Sequence, residues 1–272
     1  MKNGLPFQQK PQTSSARKDL AMTVVALAAL GALTSFPACS PSNSNRENAS
    51  DFANCTDVSK DQTGSFLTPL TTFPIQVTAD VEFSDDQRAG IEGAVAQWNA
   101  VGQQVIHSDF FAVSYGTVPT SIRGANPKDC SKSVGTQSFL YMVHESSETQ
   151  WEAMGFNSST PGATVRCNSD GTLVHQIVLL QPSLVDPTQF SSVAIHELGH
   201  AIGLDHSCSN QTPESADYAS CSKLSPTDPY HQAVMFPSLR LGGGTDDPPE
   251  VKDSLQPNDT ARAQCLYGEA RT

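Results

Sequence analysis

HELGHAIGLDH, residues 196–206, carries three imidazoles and a carboxylate at spacings that can surround one metal ion. His196 and His200 are four residues apart, so on an α-helix they share one face a turn apart, and both rings can reach a single Zn2+. Glu197 lies beside them and is not needed as a ligand. Its carboxylate is placed instead to take a proton from a water that the metal acidifies. Gly203 supplies the residue that tolerates positive φ, letting the chain leave the helix sharply enough to swing a third ligand back. His206 is that ligand.

From ordinary residue frequencies, the HExxH portion arises by accident in about one chain in a hundred of this length. Gly203 and His206 at fixed offsets lower that rate by about two to three orders of magnitude. The competing interpretation, an amphipathic helix whose histidines merely pack or face water, is correspondingly disfavoured.

The extended pattern resembles the metzincin metallopeptidases, and Gly203-Leu204-Asp205-His206-Ser207 is most similar to the matrixin branch. Ala233-Val234-Met235-Phe236-Pro237 resembles the methionine-containing turn of that family, which implies that Met235 is a hydrophobic floor under the imidazoles. Astacin- and serralysin-type relatives carry a tyrosine two residues after this methionine. Pro237 stands there in this chain and argues against those branches. The run from Leu255-Gln256-Pro257-Asn258-Asp259 to Leu266-Tyr267-Gly268 is similar to a matrixin C-terminal helix, so the resemblance spans roughly residues 70–270.

The implied fold is α+β and metzincin-like, a zincin: a mixed twisted sheet with a backing helix, an active-site helix and a C-terminal helix. The implied activity is hydrolysis of peptide bonds in a protein or peptide substrate, with one catalytic Zn2+ and Glu197 as the general base. The family further implies an edge strand above the zinc that binds substrate backbone, assigned to Leu173 to Leu180, and a specificity pocket lined by Phe236 to Leu239. The chain departs from matrixins in placing 29 positions between His206 and Met235. Ser207 to Gln232 must therefore loop out and return. No cysteine-switch run is visible. His107, His144, His175 and His231 lack the spacing of a second structural zinc, and no run matches a calcium loop, so Ca2+ stays open as a structural ion.

Local patterns support this order of elements. Ile75, Val77, Ala79, Val81 and Phe83 alternate with polar residues, the period of a half-buried strand. Ser84-Asp85-Asp86-Gln87 reads as a capping box, and Ile91, Ala94, Val95 and Trp98 share a helical face, with Trp98 in the core. Val105 to Tyr115, Ser138 to Val143 and Leu173 to Leu180 are predicted strands. Asp186 before Pro187, with Gln189 as reciprocal cap, predicts the start of the histidine-bearing helix.

The N-terminus addresses the compartment. Lys2, Lys10, Arg17 and Lys18 precede an apolar stretch from Leu20 to Leu33, the layout of a signal peptide over residues 1–38. Ser35-Phe36-Pro37-Ala38-Cys39-Ser40 resembles a bacterial lipobox, implying lipidation of Cys39, a membrane anchor and an extracytoplasmic location. Residues 39–65, polar and poor in large apolar side chains, form a flexible tether, and 66–272 the catalytic domain. Removing Cys39 from the seven cysteines leaves six, an even set that reads as three disulfides in an exported chain. Cys208 with Cys221 is the local pair, and Cys130 with Cys167 and Cys55 with Cys265 would follow among 15 connectivities.

The formal charge of −12 becomes three units more negative once the leader is lost, which excludes an electrostatic case for nucleic acid. A monomer is expected. The rival function class is a surface binding protein in which zinc only organises a groove. Retention of Glu197 disfavours it, since a binder needs no general base.

Overall fold

The computed structural model describes residues 69–123, 139–157, 159–169, 172–208, 220–240 and 248–268. Strand β1, Ile75–Asp80, lies between β2, Phe111–Gly116, and β3, Phe139–His144, both parallel to it. β4, Gly162–Ser169, and β5, Thr172–Leu180, complete a sheet of order β2-β1-β3-β5-β4. β5 runs parallel to β3, and β4 turns back antiparallel at the edge.

Three longer helices position the rest among the described residues: α1, Asp85–Val105; α2, Phe190–Ala201; and α3, Pro257–Tyr267. The predicted capping box opens α1. The Ser84 hydroxyl accepts from the Gln87 amide at 3.3 Å, and the Gln87 side chain accepts from the Ser84 amide at 2.9 Å. Ile91, Ala94, Val95 and Trp98 are buried along one stripe, as their spacing requires. That stripe packs on α2 and the sheet, and Trp98 donates its indole N–H to the Ile195 carbonyl at 2.8 Å.

The two faces of the sheet sort by period two. Leu140, Met142, Val178 and Leu180 join α1 and α2 in the main core, while Val143, Ile177 and Leu179 meet Trp151 and Ile122 on the opposite face. β5 is thus buried on both sides, the environment of an interior strand.

Three expectations change here. Leu173 to Leu180 is not the edge strand: it is β5, inside the sheet, and the edge is β4. The strand expected from Val105 begins only at Phe111, because α1 continues through Val105 and ends with the Ile106 amide bonded to the Gly102 carbonyl. Asp186 does cap, accepting from the Thr188 amide at 2.9 Å, but it opens a short 3-10 turn before α2. Gln189 is no reciprocal cap. Its amide instead reaches across to the carbonyls of Arg240 and Glu250, at 2.9 and 2.8 Å.

Cys208 and Cys221 form the expected disulfide, tying the segment that precedes the methionine turn. Cys265 on α3 is disulfide-bonded, while its expected partner Cys55 lies outside the described residues. Cys130, proposed to pair with Cys167 of β4, lies outside them too, as do Cys39, the leader and the tether. No helix among the described residues is long and apolar enough to cross a membrane.

Candidate metal centre and active site

α2 carries His196, Glu197 and His200, and the chain then reverses as predicted. Gly203 takes φ 100°, its amide bonds the His200 carbonyl at 2.9 Å, and the Leu204 amide bonds the Gly199 carbonyl at 3.1 Å. The reversal returns His206 to the helix face. One ligand atom from each of His196, His200 and His206 lies within 4.8 Å of the others.

Backbone carbonyls orient two of the rings. His196 Nδ1 lies 2.7 Å from the Val234 carbonyl, and His200 Nδ1 lies 2.8 Å from the Leu204 carbonyl. A carbonyl only accepts, so Nδ1 carries the proton in both rings and Nε2 keeps its lone pair for a metal. Burial disfavours the imidazolium form. It pulls His196 down to about 3, helped by the neighbouring His206 charge, and lowers His200 well below the usual histidine value. His206 is lowered as well, chiefly by burial. Three neutral imidazoles at this spacing are the donor set of a zinc site with an open position, so these residues fit the ion.

Met235 is fully buried against the helix that carries His196 and His200. A Cβ built on Gly199 would stand 2.3 Å from Met235 Sδ, which shows how closely the methionine presses on α2. The turn that presents it is held from α3. Buried Asp259 accepts from the amides of Val234 and Met235 at 2.9 and 3.1 Å and from Gln256 at 2.9 Å. Arg262, one turn further along, donates to the Asp205 carbonyl at 3.0 Å and so steadies the segment carrying His206. The Ser207 amide to Met235 carbonyl bond, 2.8 Å, joins that segment to the methionine turn.

Glu197 is 5% exposed. Its Oε2 accepts from the Thr164 hydroxyl of β4 at 2.7 Å, and the same hydroxyl lies 2.9 Å from the Glu197 carbonyl. Burial pushes the Glu197 carboxyl up to about 7, and the Thr164 bond works against that rise. β4 comes this close because Gly162 has no side chain: a Cβ there would fall 2.9 Å from Glu197 Oε1.

A cleft of about 580 Å3 opens over these groups. Thr160, Pro161 and Gly162 bound it on the β4 side, and Phe236, Leu239 and Lys252 bound it on the other. Phe236 to Leu239 therefore line the cavity as expected, whereas the rim role assigned to Leu173 to Leu180 passes to β4. His144 and His231 are not part of the ligand cluster, and their rings lie against Phe83 and Phe236 respectively.

The sequence does not mark Thr164, Asp259, Arg262 and Lys252 for these positions. Only Thr164 carried a local signal: Ala163 and Val165 alternate with Thr164 and Arg166, the pattern of a half-buried strand.

No family model matches the sequence, and no curated protein matches it. Among solved structures, the fold is similar to high choriolytic enzyme 1, a hatching enzyme zinc-protease from Oryzias latipes (medaka fish). The two chains are 14% identical with a TM-score of 0.34, over 71% of this chain and 88% of that one. A likeness so distant bears on neither family nor mechanism.

Proposed function

We propose that this chain is a zinc-dependent endopeptidase of metzincin type, similar to the matrixins, with a zincin-like catalytic domain over residues 66–272. The observation that carries the reading is the joint placement of three Nε2-presenting histidines and a buried carboxylate in a cleft bordered by a sheet edge.

His196, His200 and His206 would hold the ion. When bound, zinc supplies a Lewis acid that acidifies water and polarises the scissile carbonyl. Glu197 accepts the water's proton and returns it to the departing amine. Its burial suits both steps, since a carboxyl titrating near 7 can take and release a proton at neutral pH. The Thr164 hydroxyl fixes Oε2 and leaves Oε1 without that donor. Among the described residues β4 pairs only with β5, so its outer edge is open to an extended substrate backbone by strand addition.

The expected results are about one zinc per chain by elemental analysis and chelator-sensitive cleavage of casein. Glu197→Ala should keep the zinc and lose about two to four orders of magnitude in turnover. Zinc-loaded protein inert toward mixed peptides, or near-native activity in Glu197→Ala, refutes the reading.

The proposal extends to an exported lipoprotein, with residues 1–38 as leader, Cys39 as the lipidated residue and 39–65 as tether. Its support is the lipobox-like run and the Cys208–Cys221 disulfide, a bond that persists in oxidising compartments. Lipid labelling lost in Cys39→Ser checks it.

A further inference from the structure

The cleft wall opposite β4 has an unusual chemistry for a chain with 28 acidic and 16 basic residues. Its apolar part is formed by Val234, Pro237 and Leu239, and among the described residues that line the cleft Lys252 is the one lysine or arginine. The lysine is held in place. Its amide donates to the Ser192 hydroxyl at 2.8 Å, and its ammonium donates to the His231 carbonyl at 2.7 Å and stands 4.6 Å from the Phe236 ring centre. The side chain is only 11% exposed.

The remaining partners of that ammonium are distant. The Ala233 carbonyl is 3.4 Å away, and the Glu250 carboxylate is 3.5 Å away and 29% exposed. Two of the three N–H groups are therefore in long contacts that a better acceptor can replace. A desolvated ammonium beside apolar walls favours an incoming carboxylate over an uncharged group of the same shape, because water screens the pair less there. We propose that Lys252 makes this pocket select an acidic substrate side chain adjoining the scissile bond, with Glu250 as the resident anion that the substrate carboxylate displaces.

This inference rests on the peptidase reading. Its test uses the zinc-loaded full chain and fluorogenic peptides that differ only at the two residues flanking the scissile bond, each carrying Glu, Gln, Leu or Lys in turn. Glu should exceed Gln at one of the two positions by about ten- to a hundredfold in kcat/KM. The ratio, taken within each variant, should collapse toward one in Lys252→Met, persist in Lys252→Arg, and rise in Glu250→Gln, where the competing anion is gone. A thermal melt of each variant confirms that it folds.

Cleavage of the Leu peptides with no preference for Glu over Gln overturns the inference and leaves the peptidase intact. So does a Glu preference that survives in Lys252→Met or falls in Glu250→Gln. Failure of the zinc-loaded protein to cleave any peptide overturns both.

Discussion

Gly199 and Gly93 both sit inside helices, yet alanine should stabilise only the second. Replacing a helix-interior glycine by alanine stabilises by about 0.5–1 kcal/mol when nothing opposes the methyl group. At Gly93, on the exposed side of α1, a Cβ meets nothing within 4 Å, so Gly93→Ala should gain that amount. At Gly199 the same methyl would lie 2.3 Å from Met235 Sδ and 3.0 Å from Trp98 Cζ2. Methionine is pliable, but this one is fully buried, and Trp98 is fixed by its bond to Ile195. Overpacking of this kind costs about 1–3 kcal/mol, at least as much as the helix gain, leaving Gly199→Ala neutral to about 2.5 kcal/mol less stable. For a domain of this size each kcal/mol moves the melting temperature by about 2–4 °C, so the two variants should diverge by several degrees in calorimetry on chelated protein. Zinc affinity should also fall in Gly199→Ala, because displacing Met235 disturbs the turn whose Val234 carbonyl orients His196 and whose Met235 carbonyl holds the Ser207 amide beside His206. A Gly199→Ala protein that melts at or above Gly93→Ala, with unchanged zinc affinity, refutes the reasoning.

Asp259→Ala removes the acceptor for the buried Val234 and Met235 amides and should cost about 2–5 kcal/mol, seen as a lower denaturation midpoint and weaker zinc binding. Thr164→Val takes the donor from Glu197 Oε2 and should lower kcat about tenfold at unchanged zinc content, read from steady-state kinetics alongside elemental analysis. In chelated protein, acid should destabilise the fold. The three triad histidines have folded pKa values below their usual 6.5, so as pH falls through 6.5 the unfolded chain takes up protons that the folded one refuses. Glu197, raised from 4.5 to about 7, acts in the opposite sense between those values and offsets one of them. The net is one to two protons, a loss of about 1–3 kcal/mol per pH unit below 6.5, measurable by denaturant titration; stability constant from pH 7 to 5 contradicts it.

The metal triad was legible because its geometry is local. The four-residue spacing of His196 and His200 is a helix face, and the Gly203 reversal brings His206 back within a few residues. The Ser84 cap and the α1 stripe were legible for the same reason. The edge role that the metzincin resemblance implies for Leu173 to Leu180 falls instead to β4. Ile177-Val178-Leu179-Leu180 is apolar on both faces, which suits an interior strand, whereas the actual edge, β4, alternates Ala163 and Val165 with Thr164 and Arg166 and so reads weakly. Val105 and Ile106 looked like a strand start, yet they finish a helix that turns sharply there. A Cβ on Gly102 would come within 2.6 Å of the Ser108 carbonyl, so the glycine permits that close approach. The supports of the site were hidden for a different reason. Asp259 and the turn it holds are 24 and 25 residues apart, and no local pattern marks such a contact.

Those supports form one connected set. The Val234 amide donates to Asp259 while the Val234 carbonyl accepts from His196, so the residue that aims the first ring is itself held by α3. Arg262 of α3 steadies the chain at Asp205, beside the third ligand. The Tyr267 hydroxyl closes the same helix against the Ile202 carbonyl at the end of α2. α3 contributes no ligand, yet it touches the surroundings of each part of the triad: His196 through Val234, His200 through the end of its helix, and His206 through its own segment. A buried carboxylate with three amide donors costs desolvation that folding must offset, and those three bonds fix the turn whose Val234 carbonyl orients His196. The C-terminal helix is therefore part of the candidate metal centre in energetic terms, and the same bonds hold Met235, far from His206 in sequence, against both the Gly199 face of α2 and the Ser207 amide that follows the third histidine.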